Sequence, residues 1–524
     1  MAYQGVVAEI PLGPEGLTGS KNLSTVRPTQ LLRATNVTFE NATIQKMPGT
    51  TLYTPSSLAT GLTIRGGWDW WPTTGVQRSV IVTSTPNVRK DSGAGTYGTT
   101  LATLGSMTGV VPVFVEGGKE AAANNRKLFL FTGVNPVKVL SADGATMSSL
   151  ASGPADWTGT THPKTGVVHE GRLWGFKADR GYYSSTADHE SFAGAGSGTL
   201  SIYPGEGEDI VASFVLGPFI IVGKQPRGIY LIDTTDPSTA NWKVRRVTQE
   251  IGLASPLAYC HVDSDVVIAD GSFMLYLLSS LSELADVRAR SIFTQSDLEP
   301  FIHETTNRSQ YGKVQAIYYS DKRRAEIAVA AAGSTINNRR LLVDFNRQEF
   351  IRFKLSDMVT AESLWLRKDT NTIPRPVAGD HVGKIRLLDQ ANVTVDSAGY
   401  EGSFQTPHTD LAYIEPRLAA KRKNGQFLEL VFEPKGGWDL NVDIVWDGGI
   451  IQTVNFDMGG SQAILGTSTI LDTDFVLGGD SVVTSRRRIV GGGRRFSMIG
   501  RNNGAGQDFS VAKAYLHFTP GDER

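Results

Sequence analysis

The 524-residue chain has very little cysteine and almost no net charge. Its single cysteine, Cys260, excludes an intramolecular disulfide framework and zinc clusters built on several thiolates. Lysine and arginine number 51 against 52 aspartate and glutamate, which gives a formal net charge of −1. No global field therefore draws the protein to nucleic acid or to an acidic membrane, and any contact with a polyanion must come from a local patch.

Long hydrophobic runs are also missing. The most apolar stretch, IVASFVLGPFIIVG (210–223), is broken by Gly217-Pro218 and is too short to span a membrane. The first residues show no basic segment followed by an apolar one, so no signal peptide is visible. We expect a protein with no membrane span that is made in a cytoplasm.

Glycine and turn residues are abundant, and the 57 glycines and 23 prolines favour short elements and an all-β fold. Between about residues 65 and 390 one pattern recurs at roughly 45–60 residues: a short apolar strand, a turn and a second short strand. Seven such hairpins occur, at 77–90, 126–144, 171–185, 218–236, 265–280, 325–345 and 375–389. Their repetition predicts a β-propeller of six or seven blades over residues 65–405.

The flanking segments predict a second all-β region. Residues 1–64 contain strand-like pieces, and the segment 35–49 either completes the last blade or pairs with the C-terminal region. Strands with regular alternation follow at 426–434, 440–448, 449–458 and 510–520, which predicts an antiparallel sandwich or barrel-like domain over residues 406–524. Helices are expected only at 280–292, where Ser280 and Glu283 have capping-box spacing, and at 296–306.

The sequence shows none of the common catalytic motifs, such as HExxH, GxSxG or a P-loop. Its eight histidines are scattered, and none forms an i, i+4 pair for a metal. The richest stretch is HEGRLWGFKADRGYYSSTADHESF (169–192), in which Asp179, Asp188 and Glu190 are candidate carboxylates for glycoside hydrolysis. Its polar residues also fit the turn of a blade hairpin, and we expect no enzyme, metal or cofactor.

The strongest local charge signal is SRRRIVGGGRRFSMIGRNNG (485–504). It contains six arginines and no acid: Arg486, Arg487, Arg488, Arg494, Arg495 and Arg501. Three glycines at 491–493 allow a hairpin tip to approach another backbone closely. The segment therefore predicts either a loop that faces phosphate in a DNA channel or an arm that pairs with carboxylates of a neighbouring subunit.

The order of several motifs resembles the tail-nozzle (tail tubular protein B-like) structural proteins of short-tailed bacteriophages. The similarity begins in residues 10–53 and continues in 171–192, 217–232, 251–279 and 339–353. The N-terminal signature stands here as Gly16-Leu17, Pro28, Ala34, Asn36-Val37, Phe39, Ile44, Lys46, Pro48 and Gly49.

The resemblance implies a non-enzymatic virion component of the phage tail. It would form a ring, usually a hexamer, beyond the portal and its adaptor protein. The ring would retain and then pass the genomic DNA, and tail fibres or receptor-binding proteins would dock on its outside.

Two alternatives remain open on the sequence. One is a glycan-binding or glycan-cleaving propeller that recognises a receptor, with Trp174, Tyr182 and Tyr183 stacking on sugar. The other is a cellular propeller scaffold that binds proteins through its top face.

Overall fold

The structure is a computed structural model of the whole chain. It describes residues 5–20, 26–40, 43–54, 58, 61–71, 77–93, 95–118, 126–281, 286–293, 297–345, 351–369, 372–459 and 482–521.

Five short strands precede the propeller: β1 (Val6–Ile10), β2 (Arg33–Thr35), β3 (Val37–Glu40), β4 (Thr43–Lys46) and β5 (Gly49–Leu52). Four units of four antiparallel strands then follow one another along the chain. They are β6 (Ile64–Trp70), β7 (Arg78–Thr83), β8 (Asn87–Lys90) and β9 (Thr99–Thr103); β10 (Val113–Gly118), β11 (Arg126–Phe131), β12 (Lys138–Leu140) and β13 (Met147–Ser149); β14 (Thr165–His169), β15 (Arg172–Lys177), β16 (Arg180–Tyr183) and β17 (Gly198–Ser201); and β18 (Asp209–Leu216), β19 (Phe219–Gln225), β20 (Ile229–Asp233) and β21 (Lys243–Thr248).

Three further units complete the repeat. They are β22 (Tyr259–Val262), β23 (Asp265–Ala269), β24 (Leu275–Leu281) and β25 (Asp286–Ser291); β26 (Gln315–Tyr319), β27 (Arg324–Val329), β28 (Arg339–Asp344) and β29 (Arg352–Ser356); and β30 (Ser363–Lys368), β31 (Pro374–Gly379) and β32 (Ile385–Gln390). The N-terminal β5 supplies the fourth strand of the last unit.

The C-terminal region adds β33 (Gly402–Gln405), β34 (Lys423–Phe432), β35 (Asp439–Trp446), β36 (Gly449–Asp457), β37 (Val483–Arg488), β38 (Gly492–Gly493), β39 (Phe496–Asn502) and β40 (Ser510–Pro520). One α-helix, α1 (Leu298–Thr305), lies among the described residues. Short 3₁₀ segments span Ala155–Trp157, Thr239–Asn241, Arg308–Lys313, Ser320–Lys322 and Pro416–Ala419.

The predicted all-β fold, a propeller with additional C-terminal sheets, is confirmed. In the described part of the chain, six four-stranded sheets stand as separate blades. The seventh four-stranded unit, β26–β29, is part of a larger sheet. Its outer strand β29 also pairs with β2, and the strand order continues β33-β39-β35-β36. This nine-stranded sheet joins the propeller to the C-terminal region.

The N-terminal segment makes both connections that the sequence left open. The β3–β4 hairpin pairs with the C-terminal strand β40, and the strand that follows it, β5, pairs with β32 and completes the last blade. A second sheet therefore has the order β3-β4-β40-β34-β37, with β1 also on β40 and β38 on β34. We call it the terminal sheet, because both chain ends contribute to it.

The alternation of apolar residues along the strands determines where the core lies. Leu173 belongs to the cluster shared with the preceding blade, whereas Trp174 and Phe176 belong to the cluster shared with the following one. This is the outcome that period-2 alternation predicts for a strand buried on both faces. In the C-terminal region, Leu428 and Leu516 of the terminal sheet share one core with Val442 and Phe496 of the nine-stranded sheet.

The prediction of a helix at 280–292 is wrong. The described residues there form the end of β24 and the whole of β25, which pair antiparallel. Val287 is buried while Arg288 and Arg290 are exposed, which is strand alternation, and the ladder to β24 outweighs a local capping signal. The second expected helix is confirmed as α1.

Candidate functional site

The predicted arginine segment lies at one edge of the terminal sheet. Arg486, Arg487 and Arg488 are the last residues of β37, which pairs only with β34 in the described sheet. All three are exposed. Cross-strand pairing places Arg488 opposite Phe427 and Arg486 opposite Glu429.

The arginines have different surroundings. The Arg486 guanidinium carbon lies 4.0 Å from the centroid of the Phe427 ring, within cation–π range. Arg487 Nε donates a hydrogen bond to the carbonyl of Asn455 in β36, at 3.0 Å. The structure therefore orients the first two arginines through contacts within the chain.

The hairpin tip that follows β37 is fixed by a single carboxylate. Asp447, in the β35–β36 turn, accepts hydrogen bonds from the backbone N–H groups of Arg494 and Arg495 at 2.8–3.1 Å. A Cβ on Gly493 would lie 2.5 Å from the Asp447 carboxylate, so the close approach requires glycine. The side chains of Arg494 and Arg495 are exposed beside this tip.

Arg501 does not belong to the same surface group. It lies in β39, and its Nη2 is 2.5 Å from Asp443 Oδ2, whose carboxylate is buried. A half-buried arginine already paired in this way is poorly suited to contact DNA. The structure thus brings five of the six predicted arginines to one edge and places the sixth in an internal ion pair.

Exposed aliphatic residues adjoin these arginines. Ile450 and Ile451 of β36 are 58% and 53% exposed, and Val490 is 52% exposed. They are neighbours, since a Cβ on Gly491 would lie 3.0 Å from Ile451 and Val490 N–H donates to the side chain of Gln452 at 2.8 Å. A mixed surface of arginine and aliphatic groups is typical of protein interfaces.

The aromatic side chains of the hairpin 169–192 lie inside the propeller. Trp174, Tyr182 and Tyr183 are 1%, 3% and 8% exposed, and Tyr182 donates to Asp156 at 2.9 Å. Burial and that carboxylate raise the pKa of Tyr182 to about 12. None of these rings can stack on a sugar in this structure.

Two of the three candidate carboxylates of that hairpin have partners within the blade. Glu190 pairs with Lys127, and Asp188 Oδ1 accepts from the backbone of Glu190 at 3.2 Å within the turn. The backbone carbonyl of Asp179 accepts a hydrogen bond from Ile202 N–H at 2.8 Å. Asp179, Asp188 and Glu190 therefore belong to blade turns and connections.

A cavity of about 720 Å³ opens between the inner strands of the propeller. Its walls carry Trp68, Tyr259, Tyr318 and Trp365, and Trp68 Nε1 donates to Glu116 at 3.0 Å. The sequence reasoning missed this cavity. The available signal was an aromatic residue in the first strand of each of these units.

Burial shifts the pKa of both the cysteine and the histidine beside the cavity. Burial raises the pKa of the Cys260 thiol to about 12, which keeps it protonated, and burial lowers the pKa of His261. Among the described residues, no group of three or more His, Cys, Asp or Glu side chains is arranged to hold a metal ion. Within the same ranges, no helix has the length and apolar character needed to span a bilayer.

Comparison with known proteins gives no family for this chain. No family model and no curated protein matches it. Among solved structures, it is similar to a chain in the crystal structure of BBS1N in complex with ARL6DN, soaked with lead, with 11% identity and a TM-score of 0.41. That match covers 66% of this chain and 97% of the other, and it is too distant to carry an argument about function.

Proposed function

We propose that this protein is a non-enzymatic virion component, a subunit of the tail nozzle or connector ring of a short-tailed bacteriophage. The motif order in residues 10–53, 171–192, 217–232, 251–279 and 339–353 supports this proposal. In the virion, the ring would extend the tail channel beyond the adaptor protein, retain and pass the DNA, and offer its propellers to fibres.

The observation that carries the proposal is the distribution of exposed apolar side chains along the chain. Of the nine large hydrophobic side chains that the described residues expose, seven lie outside the propeller: Val7, Tyr413, Ile414, Ile450, Ile451, Val482 and Val490. Exposed apolar groups beside arginines favour a protein interface. A propeller that carries two of the nine exposed hydrophobic side chains, Val134 and Val382, attached to a region that carries the other seven, fits a subunit that assembles through that region.

The test is electron microscopy of the purified full-length chain, alone and with the adaptor protein of the same phage. We expect closed rings in at least one of the two preparations. A chain that stays monomeric in both would contradict the proposal.

The arginines can be tested in the same rings. Replacing Arg486, Arg487 and Arg488 by alanine should leave rings intact and change genome retention or ejection if these residues line the channel. If they lie between subunits, the same variant should instead fail to form rings.

A second candidate function, glycan binding, is favoured by one observation, the aromatic cavity of the propeller. Aromatic walls beside the Glu116 carboxylate suit a small amphipathic ligand. A glycan array with the wild type and with Trp68→Ala tests this candidate. Binding that the variant loses would support it, and an array without signal would remove it.

A further inference from the structure

A buried lysine and a buried asparagine meet where the terminal sheet adjoins the nine-stranded sheet. Lys46 is the last residue of β4 in the terminal sheet, and Asn502 is the last residue of β39 in the nine-stranded sheet. The Lys46 amine donates a hydrogen bond to Asn502 Oδ1 at 3.1 Å, although the two residues are 456 positions apart along the chain. Lys46 is 2% exposed and Asn502 is 3% exposed.

Further hydrogen bonds hold both groups in place. The Lys46 amine also donates to the carbonyls of Gly504 and Gln507, at 3.3 and 3.0 Å. The Asn502 amide nitrogen donates to the Asp439 carbonyl at 2.9 Å and to Gln507 Oε1 at 3.0 Å. Because Asn502 Cγ is one covalent bond from Oδ1, the amine is held beside the carbon atom that a nucleophile would attack.

Neighbouring side chains close the space around the lysine. Its amine lies 4.5 Å from the centroid of the Tyr400 ring, and Tyr400 is itself buried. A Cβ on Gly402 would lie 2.8 Å from Lys46 Cγ and 3.3 Å from the Phe509 ring, so glycine at this position leaves the lysine its space. The amine and the amide therefore meet in a site from which bulk water is excluded.

Burial also changes the acid–base behaviour of this site. It lowers the pKa of Lys46 to about 8, against the opposing effect of the Asp508 carboxylate. Slightly above neutral pH, much of the amine is therefore uncharged and has the lone pair of a nucleophile. Burial raises the pKa of Asp508, which suits this carboxyl group to proton transfer. Burial also raises the pKa of Tyr400, so the ring that faces the amine stays neutral.

We propose that Lys46 and Asn502 form an isopeptide bond within the folded chain. The uncharged Lys46 amine attacks Asn502 Cγ, the bond between Cγ and Nδ2 breaks, and Nδ2 leaves as ammonia with one proton that came from Nζ. Asp508 carries that proton between the two nitrogens. One amine and one primary amide thus become one secondary amide and one ammonia, and no oxidant or other co-reactant is needed.

The bond would join the two sheets covalently and close a loop that contains the whole propeller. The inference does not rest on the proposed function, because it uses only contacts within one copy of the chain. Lys46 is a titratable amine before the reaction and a neutral amide after it. Any effect of Lys46 on the pH dependence of stability therefore belongs to the unreacted chain, which is recognised by its full intact mass.

Mass spectrometry of the purified full-length chain tests the proposal. We expect a species that is lighter than the sequence mass by one ammonia. Its fraction should grow when the folded protein is kept at about pH 9, where most of the Lys46 amine is uncharged. Tryptic digestion should release a peptide in which Lys46 is joined to Asn502, identified by its fragment ions. If no such peptide is found even after this incubation, the proposal is wrong.

The matched control is Lys46→Arg, which keeps the positive charge but has no amine that loses its proton at this pH. It should keep its full mass and give no linked peptide. The control also excludes a succinimide at the adjacent Asn503-Gly504, which would release the same ammonia. A wild type and a Lys46→Arg variant that lose ammonia equally, without the linked peptide, would overturn the proposal.

Asp508→Asn tests the proton transfer. This variant should form the linked peptide at least about tenfold more slowly than the wild type, with an unchanged circular dichroism spectrum. A linked peptide that forms at the same rate in both proteins would overturn the role given to Asp508.

Discussion

At the scale of single residues, the most unusual feature is a group of charged side chains buried in the β26–β29 unit. Glu326 is fully buried and receives hydrogen bonds from Arg324 at 2.7 and 3.0 Å and from Arg340 at 2.6 Å. Next to them Lys354 pairs with Asp344 at 2.7 Å. Desolvation by burial raises the pKa of Glu326, but Arg324 and Arg340 outweigh it and leave the pKa below its ordinary value, so the carboxylate stays charged.

Removal of that carboxylate should destabilise the protein strongly. Glu326→Gln leaves the buried Arg340 guanidinium without its counter-ion and leaves Arg324 with Asp389 at 3.5 Å, and we expect a loss of about 3–5 kcal/mol in the free energy of unfolding. Urea unfolding followed by tryptophan fluorescence measures it. The control is Asp263→Asn, which breaks the exposed Arg323–Asp263 pair and should cost less than about 1 kcal/mol; equal effects of the two variants would contradict the prediction.

A glycine in the hairpin 169–192 makes a second residue-scale prediction. A Cβ on Gly175 would lie 2.5 Å from the Trp157 ring, so Gly175→Ala should overpack the blade and cost about 1–3 kcal/mol. Gly271→Ala is the control, because a Cβ there meets nothing within 4 Å. Thermal unfolding should separate the two variants, and an unchanged midpoint for Gly175→Ala would show that the ring of Trp157 moves aside freely.

At the scale of elements, the propeller is closed by the pairing of β5 with β32. Leu387 lies directly opposite Thr51 across this ladder. Closure thus joins residues more than three hundred positions apart, through an N-terminal strand of four residues.

A disulfide across that ladder should stabilise the closed ring. Directly opposite strand residues have Cα separations that suit a disulfide, so Thr51→Cys with Leu387→Cys should raise the unfolding free energy by about 2–4 kcal/mol. The gain should vanish on addition of dithiothreitol. Cys260 is buried with a raised pKa, which leaves it out of the exchange; a melting temperature indifferent to reductant would contradict the prediction.

The strands show how much of the fold could be predicted from the sequence. All seven predicted hairpins are the second and third strands of their units, because half-buried alternation is a local property that any strand pair must satisfy. The charged face of β27, by contrast, alternated like a solvent-exposed one. Its Arg324 is covered by Asp389, and the neighbouring Lys354 of β29 is covered by Thr38. Both partners are distant along the chain, and no local pattern encodes them.

The candidate site, too, could be predicted only in part from the sequence. The clustering of Arg486, Arg487 and Arg488 at one edge was visible as a run in the sequence. The internal pairing of Arg501 was not, because Asp443 lies 58 residues away along the chain. The hydrogen bond from Tyr413 to the carbonyl of Glu9 in β1 was not visible for the same reason, because these two segments meet only after the chain has passed through the entire propeller.

At the scale of the whole molecule, a lysine near the N-terminus connects the two chain ends. Lys46 Nζ donates to Asn502 Oδ1 at 3.1 Å and to the carbonyls of Gly504 and Gln507 at 3.3 and 3.0 Å. Burial lowers its pKa to about 8. An unfolded lysine has a pKa of about 10.4, so between these values the unfolded chain binds a proton that the folded chain lacks.

This difference makes stability depend on pH in a defined window. Above pH 8, Lys46 should add up to about 1.4 kcal/mol of stability per pH unit, whereas below pH 8 both states are protonated and its contribution is constant. Urea unfolding of the wild type and of Lys46→Met at pH 7–9.5 measures it, and the range avoids the tyrosines that ionise from about pH 10. The difference between the two should grow with pH, and parallel profiles would contradict the prediction.

The continuity of the nine-stranded sheet has a mechanical consequence. Two bodies joined by a linker can swivel independently, but here the β26–β29 unit and the C-terminal strands share one hydrogen-bonded ladder through β2. A torque on the propeller therefore reaches the C-terminal strands through the β2–β29 junction, where Thr35 pairs with Leu355 and Asn36 N–H donates to the Leu355 carbonyl at 2.8 Å. A force applied to the propeller is therefore transmitted to the C-terminal sheets, and it does not only change the orientation of the propeller.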